Sequence, residues 1–488
     1  MDYFTKKNYK LFKRCPRLFA YDYFKIVSDF KEPSHRGHLI SEQGKNIGLL
    51  VHDLYKQSCA VLIPPSASPL AIEKTKKALL EYDIIFEATF GFENLLMKAD
   101  IFNVLENELI EIKSTLEIKE EHYHDLLFQL YVIKNSHLCP EKITLGILNR
   151  DNIFQAKINL AELFKFQDLT AEIYSLLPEF ECEISEMRII AESKQLPALL
   201  IGPHCESEVT CPYQRQCWGE ISNHSIFNLR QGGVKRFELH QAGIHHLKDI
   251  PLYLKLSSYQ SLQRESEIKN CPIINQRELQ ETLGEISFPL YFLNLETIMT
   301  AIPQYPNMVP YQQIPFLVSI LKMATPDKKS HHNIYLSTEA KDSRLELLLF
   351  LLESLGINGS IVCYHATFVI GRLYELIKIA PDKENQILSI IERIWDLEKV
   401  FREGSYVDYR FEGSTSFNIV QPVFTPQVWF SDLKIQNEAM AFAAYFKLLS
   451  QKNFLEKQEI QHSLEEYCKR KTFSMSMILK KLLREVSV

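Results

Sequence analysis

No stretch of eighteen or so consecutive apolar residues occurs in this chain. The most apolar run, 345–355, is interrupted by Glu346 and Glu353 and reads as an amphipathic helix rather than a membrane span. A dominant charge is missing too. Lys and Arg total 55 against 61 Asp and Glu, a formal net charge of -6. That excludes a uniformly basic protein but not a local nucleic-acid site, which needs only local positive charge. Cysteine is sparse, ten in 488 residues, too few for a disulfide scaffold. The opening residues, Met1 to Lys7, carry charge where a secretory signal would be apolar. There is no internal repeat and no low-complexity tract. What is present, 46% hydrophobic and 24% charged residues, can bury a substantial core. The length suggests about three domains, or two large ones. These features predict a cytoplasmic protein with no membrane partner and with reduced thiols, where clustered cysteines serve as metal ligands more often than as disulfides.

Along the chain, Lys7 to Phe24, Gly44 to Cys59 and Ala71 to Glu81 read as helices. Asp83 to Phe90, Leu95 to Val104 and Glu108 to Ser114 read as strands of a meander, separated by the turn signals Gly91-Phe92-Glu93-Asn94 and Glu106-Asn107. Lys119 to Asn135 returns to a helical pattern. Lys142 to Asn149 and Ile153 to Ile158 are expected strands, and Leu160 to Leu196 is expected to be mostly helix. Residues 220 to about 286 read as a helical connector. A second α/β unit opens at Phe288, with strands over Tyr291–Thr297, Phe316–Lys322, Asn333–Ser337 and Ser360–His365 and a mainly helical remainder.

Two constellations carry chemistry. Cys205, Cys211 and Cys217 are spaced C-x5-C-x5-C. Three thiols so close cannot share one disulfide, and thiolates suit zinc or an iron–sulfur cluster. Structural zinc sites prefer tighter spacing, so zinc fits less well. Cys15, in Cys15-Pro16, is the best fourth ligand because cysteine-proline recurs at Cys211-Pro212.

The second constellation lies between these cysteines. It comprises Gly48-Leu49-Leu50-Val51-His52 on a helix, Asp100 at the end of one strand, and Glu111-Ile112-Lys113 on the next. Strand alternation puts Glu111 and Lys113 on one face, and the hairpin brings Asp100 beside them. His52, Asp100 and Glu111, with the Ile112 carbonyl as a further oxygen ligand, suit a hard divalent ion. Such an ion lowers the pKa of bound water, and Lys113 can orient that water and stabilise phosphorus-centred charge.

The order G-x-x-x-H, D, E-x-K, then a helix bearing Gln129 and Tyr131, with one cysteine before and three after, resembles the RecB-type PD-(D/E)xK nucleases. It is most similar to their iron–sulfur subgroup, which includes the CRISPR-adaptation exonucleases and the AddB nuclease domain. The resemblance covers residues 1–220. It implies a restriction-endonuclease-like fold and a [4Fe–4S] cluster on Cys15, Cys205, Cys211 and Cys217. It implies Mg2+ or Mn2+ on His52, Asp100 and Glu111, with Lys113 catalytic. Gln129 and Tyr131 match the helix motif loosely, because that motif spaces its Gln and Tyr four apart. With this resemblance, the basic run Lys6, Lys7, Lys10, Lys13, Arg14 and Arg17 reads as a track for phosphates, and the interleaved Tyr3, Phe4, Tyr9, Phe12 and Phe19 as surfaces for stacking single-stranded bases; the alternative is an amphipathic helix whose aromatics pack the cysteine loop and whose lysines are solvated.

Residues 287–488 follow the 221–286 connector. They carry Asn294-Leu295-Glu296, Tyr364-His365-Ala366-Thr367-Phe368-Val369, Asp396-Leu397 and Tyr467-Cys468-Lys469-Arg470-Lys471. They resemble the C-terminal part of an uncharacterised bacterial family that fuses a RecB-like nuclease to an RNase H-like, DnaQ-type exonuclease domain. The acids of that exonuclease pattern are replaced here by Asn294, Val369 and Lys471. Glu296 and Asp396 remain, too few to bridge two metal ions. The expectation is a degenerate domain in which a lysine near Glu296 fills the metal space. The whole chain is therefore expected to be a metal-dependent DNA nuclease acting through its first domain on DNA ends or single strands. Its rival is a non-catalytic nucleic-acid-binding or assembly protein with a structural or redox-sensing cluster.

Overall fold

The computed structural model describes residues 3–27, 44, 47–65, 68–155, 157–207, 210–219, 221–325, 328–428 and 430–486. They group into two compact units. One comprises the described residues up to Gly219 together with Thr300–Gln312, and the other comprises the rest. Both are mixed α/β. No described helix is long and apolar enough to cross a membrane.

The first unit is built on six strands, β1 (Ala60–Leu62), β2 (Ile84–Phe92), β3 (Leu95–Asn103), β4 (Glu108–Lys113), β5 (Lys142–Leu148) and β6 (Phe164–Asp168), ordered in the sheet as in the sequence. β2, β3 and β4 form the antiparallel meander, turning at Glu93 and Asn107, both with positive φ. β4 and β5 are parallel, so their connection must cross over, and the helix Glu120–Asn135 makes that crossing. Leu126, Phe128, Leu130, Val132 and Ile133 of this helix are fully buried. It packs on β2 and β3 and also against the helix Thr170–Ser193, which is why its sequence is apolar nearly all round.

Two local expectations change. The N-terminal helix is two helices, Lys6–Arg14 and Pro16–Tyr23, broken at Cys15, whose backbone is extended at φ -168°. Proline lacks an N–H and is tolerated only in a first turn, so Pro16 starts a new helix instead of continuing the old one. Cys15 is thereby left at a corner. The segment 153–158 is not a strand; Phe154 makes only an isolated bridge to Met308. The sixth strand is instead Phe164–Asp168, where helix was expected. Phe164-Lys165-Phe166-Gln167 alternates apolar with polar, a period-two signal that the surrounding helical pattern masked.

The second unit has a short ribbon of β7 (Ile273–Ile274) and a later strand, Tyr406–Val407, and one larger sheet. The larger sheet comprises β8 (Leu290–Met299), β9 (Gln313–Met323), β10 (His331–Leu336), β11 (Ile361–Cys363) and β12 (Ile394–Asp396), in the order β10-β9-β8-β11-β12. β8, β11 and β12 are mutually parallel, while β9 and β10 complete an antiparallel edge. The 32-residue helix Phe454–Glu485, capped by Asn453, lies across β8 and β9. Thr300–Gln312 joins β8 to β9 yet clusters with the first unit. Ala301 is buried among Ile84, Ile101 and Ile110, and the Tyr311 hydroxyl donates to the Ser114 carbonyl. No linear boundary can express that exchange.

Candidate active site

The antiparallel register of β3 and β4 pairs Ile101 with Ile110. Carried one residue further, it sets Asp100 opposite Glu111, so both side chains leave the same face. The Ile112 N–H donates to Asp100 Oδ2 at 2.8 Å and fixes that carboxylate. Lys113, two residues beyond Glu111, shares its face and donates to Glu111 Oε1 at 2.8 Å. From the crossing helix, Gln129 Nε2 donates to Glu111 Oε2 at 2.6 Å. Asp100, Glu111, Lys113 and Gln129 are thus brought together from two strands and a helix.

Two members of this group were not read from the sequence in these roles. Asp125 accepts from Lys113 and lies 3.2 Å from Lys10 Nζ. It stands four residues before Gln129, on the same helix face, which is the one signal that could have found it. Lys6, expected only as a phosphate contact, donates to Glu111 Oε1 at 2.8 Å across 105 residues of sequence. Its position follows from local structure. Phe4 is fully buried, and its backbone bonds Asn94 and Leu96 at the start of β3. Thr5 and Asn8 then form a capping box that starts the helix at Lys6.

Burial pushes the Asp100 carboxyl well above its ordinary range, and the Glu111 charge adds to the rise. Burial would do the same to Glu111, but the ammonium groups of Lys6 and Lys113 outweigh it and hold Glu111 below the usual carboxylate range. Burial works against the Lys113 ammonium, yet Glu111 and Asp125 keep its pKa raised. The Asp125 Oδ1 and Gln129 Oε1 atoms are buried without a hydrogen-bond partner. Among the described residues, no three His, Cys, Asp or Glu side chains converge as a ready-made metal site.

Other expected residues do not join. The His52 ring stacks on Phe86, centroids 3.9 Å apart, and its charged neighbours are Glu87 and Asp53 rather than Asp100 and Glu111. Tyr131 packs against Phe92 and Phe180 in the apolar core. The basic run is not an open face. Lys7 pairs with Asp22, Lys10 with Glu121 and Asp125, and Lys13 with Glu183, while Arg14 and Arg17 reach the carbonyls of Cys205 and Leu199. Phe4, Tyr9, Phe12 and Phe19 are buried and unavailable for base stacking; of the interleaved aromatics only Tyr3 is exposed. Their periodicity belongs to the core, where they clasp the first sheet.

All ten cysteines are free, and only Cys15, Cys205, Cys211 and Cys217 are half-buried. Burial raises the Cys15 thiol pKa, the Leu18 and Arg17 N–H groups oppose the rise, and the Cys205 and Cys217 charges add to it. Cys217 likewise feels Cys211 and Cys205, after burial and Arg17. The four thiols are therefore electrostatic neighbours at the helix corner. Tyr21 and Tyr213, stacked with centroids 4.7 Å apart, pack with Cys15, Cys211 and Cys217.

In the second unit, Asn294 Nδ2 donates to Glu296 Oε1 at 2.9 Å. Lys471 Nζ donates to the same oxygen at 3.0 Å and to Glu438 Oε1 at 2.7 Å. Tyr467 and Lys471 lie one turn apart on the long helix, so the tyrosine ring sits beside the ammonium, 5.2 Å from its centroid. The lysine thus stands against the Glu296 carboxylate. Val369 is a core residue, 3% exposed. Asp396 accepts the His365 and Glu398 N–H groups and pairs with Arg402 at 2.9 Å.

No curated protein matches the chain. Residues 291–416, which include Asn294, Glu296, Val369 and Asp396 but not Lys471, match the model of a family described as a domain of unknown function (DUF2779).

Proposed function

We propose that the first unit is a metal-dependent nuclease of the PD-(D/E)xK type, acting on DNA, with a [4Fe–4S] cluster on Cys15, Cys205, Cys211 and Cys217. The second unit is an RNase H-like domain without two-metal catalysis. One observation carries the proposal: Asp100, Glu111, Lys113 and Gln129 form a buried, hydrogen-bonded, charge-dense group on adjacent elements. Fixed opposite charges of this kind are expensive to bury and cluster at sites of chemistry.

The donor set suits Mg2+ or Mn2+. Magnesium keeps several waters and takes one or two carboxylates plus substrate phosphate oxygens, so a pair of acids suffices. The partnerless Asp125 and Gln129 oxygens leave acceptor capacity beside that pair. A cation held by Asp100 and Glu111 would neutralise phosphate charge and supply a water of lowered pKa. The chain itself supplies orientation. The Ile112 N–H fixes Asp100, Gln129 fixes one Glu111 oxygen, and Asp125 anchors the Lys113 ammonium, which would stand beside a phosphate bound there. Four neighbouring, half-buried thiols without a disulfide suit an iron–sulfur cluster.

A single experiment addresses both groups. The full chain is purified anaerobically and its cleavage of labelled single and double strands is measured with Mn2+. Glu111→Ala should lose cleavage and keep charge-transfer absorbance near roughly 400 nm, while Cys205→Ala should lose that absorbance. Cleavage that survives Glu111→Ala refutes the site, and a colourless wild type refutes the cluster. One observation favours the non-catalytic rival. Lys6 stands against Glu111 much as Lys471 stands against Glu296 in the unit that has lost its acids.

A further inference from the structure

Lys6 and Lys471 each pair with a buried glutamate, but their surroundings differ. Lys471 sits in the middle of a 32-residue helix, bonded to two carboxylates, with its side chain 11% exposed. Two carboxylates therefore hold it, and little of it is open to solvent. Lys6 is the first residue of a nine-residue helix, bonded among the described residues to Glu111 alone, and its side chain is 25% exposed. Its place in the first turn is unfavourable, because the positive end of the helix dipole repels cations there. No acid occupies that turn to compensate. What holds the ammonium is the carboxylate pair in the neighbouring strands. On a flexible four-carbon stem, it can swing to solvent through the side that is already open.

We propose that Lys6 is a removable counter-ion: in the metal-free chain its ammonium takes the place of a divalent cation beside Asp100 and Glu111, and cation binding expels it. This rests on the nuclease reading above. It explains how two buried acids stay folded without metal, since Lys6 supplies the neutralising charge. It also separates the two units: the first holds an exchangeable lysine, the second a permanent one. The helix that carries Lys6 ends at Cys15, so the residue that yields to the metal and the corner that carries the thiols belong to one rigid element.

The test uses the full-length chain and Mn2+ alone. Bound Mn2+ is counted from the loss of the free-ion electron paramagnetic resonance signal, for wild type, Lys6→Met, Glu111→Ala and the double variant. Lys6→Met should bind Mn2+ at least tenfold more tightly than wild type, and the double variant should lose that site. In the wild type, lysine acetylation read by peptide mass should rise severalfold at Lys6 when Mn2+ is added and stay unchanged at Lys471. This second measurement needs no variant to fold. If Mn2+ binds through Glu111 but Lys6→Met binds no tighter, or if Mn2+ leaves Lys6 acetylation unchanged, Lys6 is not displaced and the inference fails while the nuclease reading stands. If neither wild type nor Lys6→Met binds Mn2+ through Glu111, both fail.

Discussion

Lys471→Met in the second unit measures what a buried lysine–carboxylate pair contributes to stability. Its ammonium lies 3.0 Å from Glu296 Oε1, with side chains 11% and 5% exposed. At an effective dielectric of about 20, that pair attracts by about 5–6 kcal/mol, against which desolvation of both ions must be set. Glu438, 58% exposed, adds under ~1 kcal/mol. Removing the lysine leaves Glu296 buried with only the Asn294 amide, and stranding a buried charge costs about 3–5 kcal/mol. Lys471→Met should therefore lose about that much stability. Lys471→Met combined with Glu296→Gln should lose much less, because no ion is stranded, giving a coupling of about 2 kcal/mol or more. Urea titration of the full chain, with hydrogen exchange at β8 and β9 amides to assign the loss to this unit, measures both. A cost under ~1 kcal/mol for Lys471→Met, or additive effects, would falsify the premise that this lysine is the buried counter-ion.

Further outcomes follow from other contacts. Gln129→Leu should lower cleavage or Mn2+ affinity about 10–100-fold, because it frees one Glu111 oxygen, whereas Tyr131→Phe should change neither by more than about twofold. Equal losses in the two variants would restore Tyr131 to the site. His122 is held neutral, its pKa lowered to about 4 by burial and then by Lys113, and its Nδ1 accepts the Lys119 N–H. Below its ordinary pKa the unfolded chain takes up a proton that the folded chain refuses, so this contribution is present at neutral pH and is lost as pH falls from about 6.5 towards about 4. His122→Gln should flatten that part of a stability-versus-pH curve; an unchanged slope would count against it. Gly359 has φ +89°, and a Cβ there would lie 2.0 Å from the Pro289 carbonyl oxygen. Gly359→Ala should cost about 2–3 kcal/mol or more, read as a lowered melting temperature, and a neutral result would mean the turn relaxes freely.

Part of the site was legible because it is local. Strand alternation puts Glu111 and Lys113 on one face whatever the rest of the chain does. Turn residues at Gly91–Asn94 and Glu106–Asn107 predict the hairpins that bring Asp100 opposite. The spacing of Cys205, Cys211 and Cys217 marked three of the four half-buried thiols, and Cys15-Pro16 the fourth. The aromatics of the N-terminal helices could not be assigned from sequence for an instructive reason. A stripe of Phe and Tyr among lysines has the same sequence signature whether it faces bases or a core, and only burial distinguishes the two.

By itself, the sequence determined the strands and turns of the β2–β4 meander, the faces of their side chains, and which residue types stand at Asn294, Val369 and Lys471. Each of these is a matter of backbone period and residue chemistry within a few positions. Only the tertiary structure decided which charges neutralise which. Lys6 meets Glu111, Asp125 meets Lys113, and Thr300–Gln312 crosses to the first unit, because chain crossings set those distances and no local pattern encodes them. It also decided that His52 and Tyr131 stand apart. Their places along the chain fit the motif order, but their rings are packed against Phe86 and Phe180 rather than beside the carboxylates.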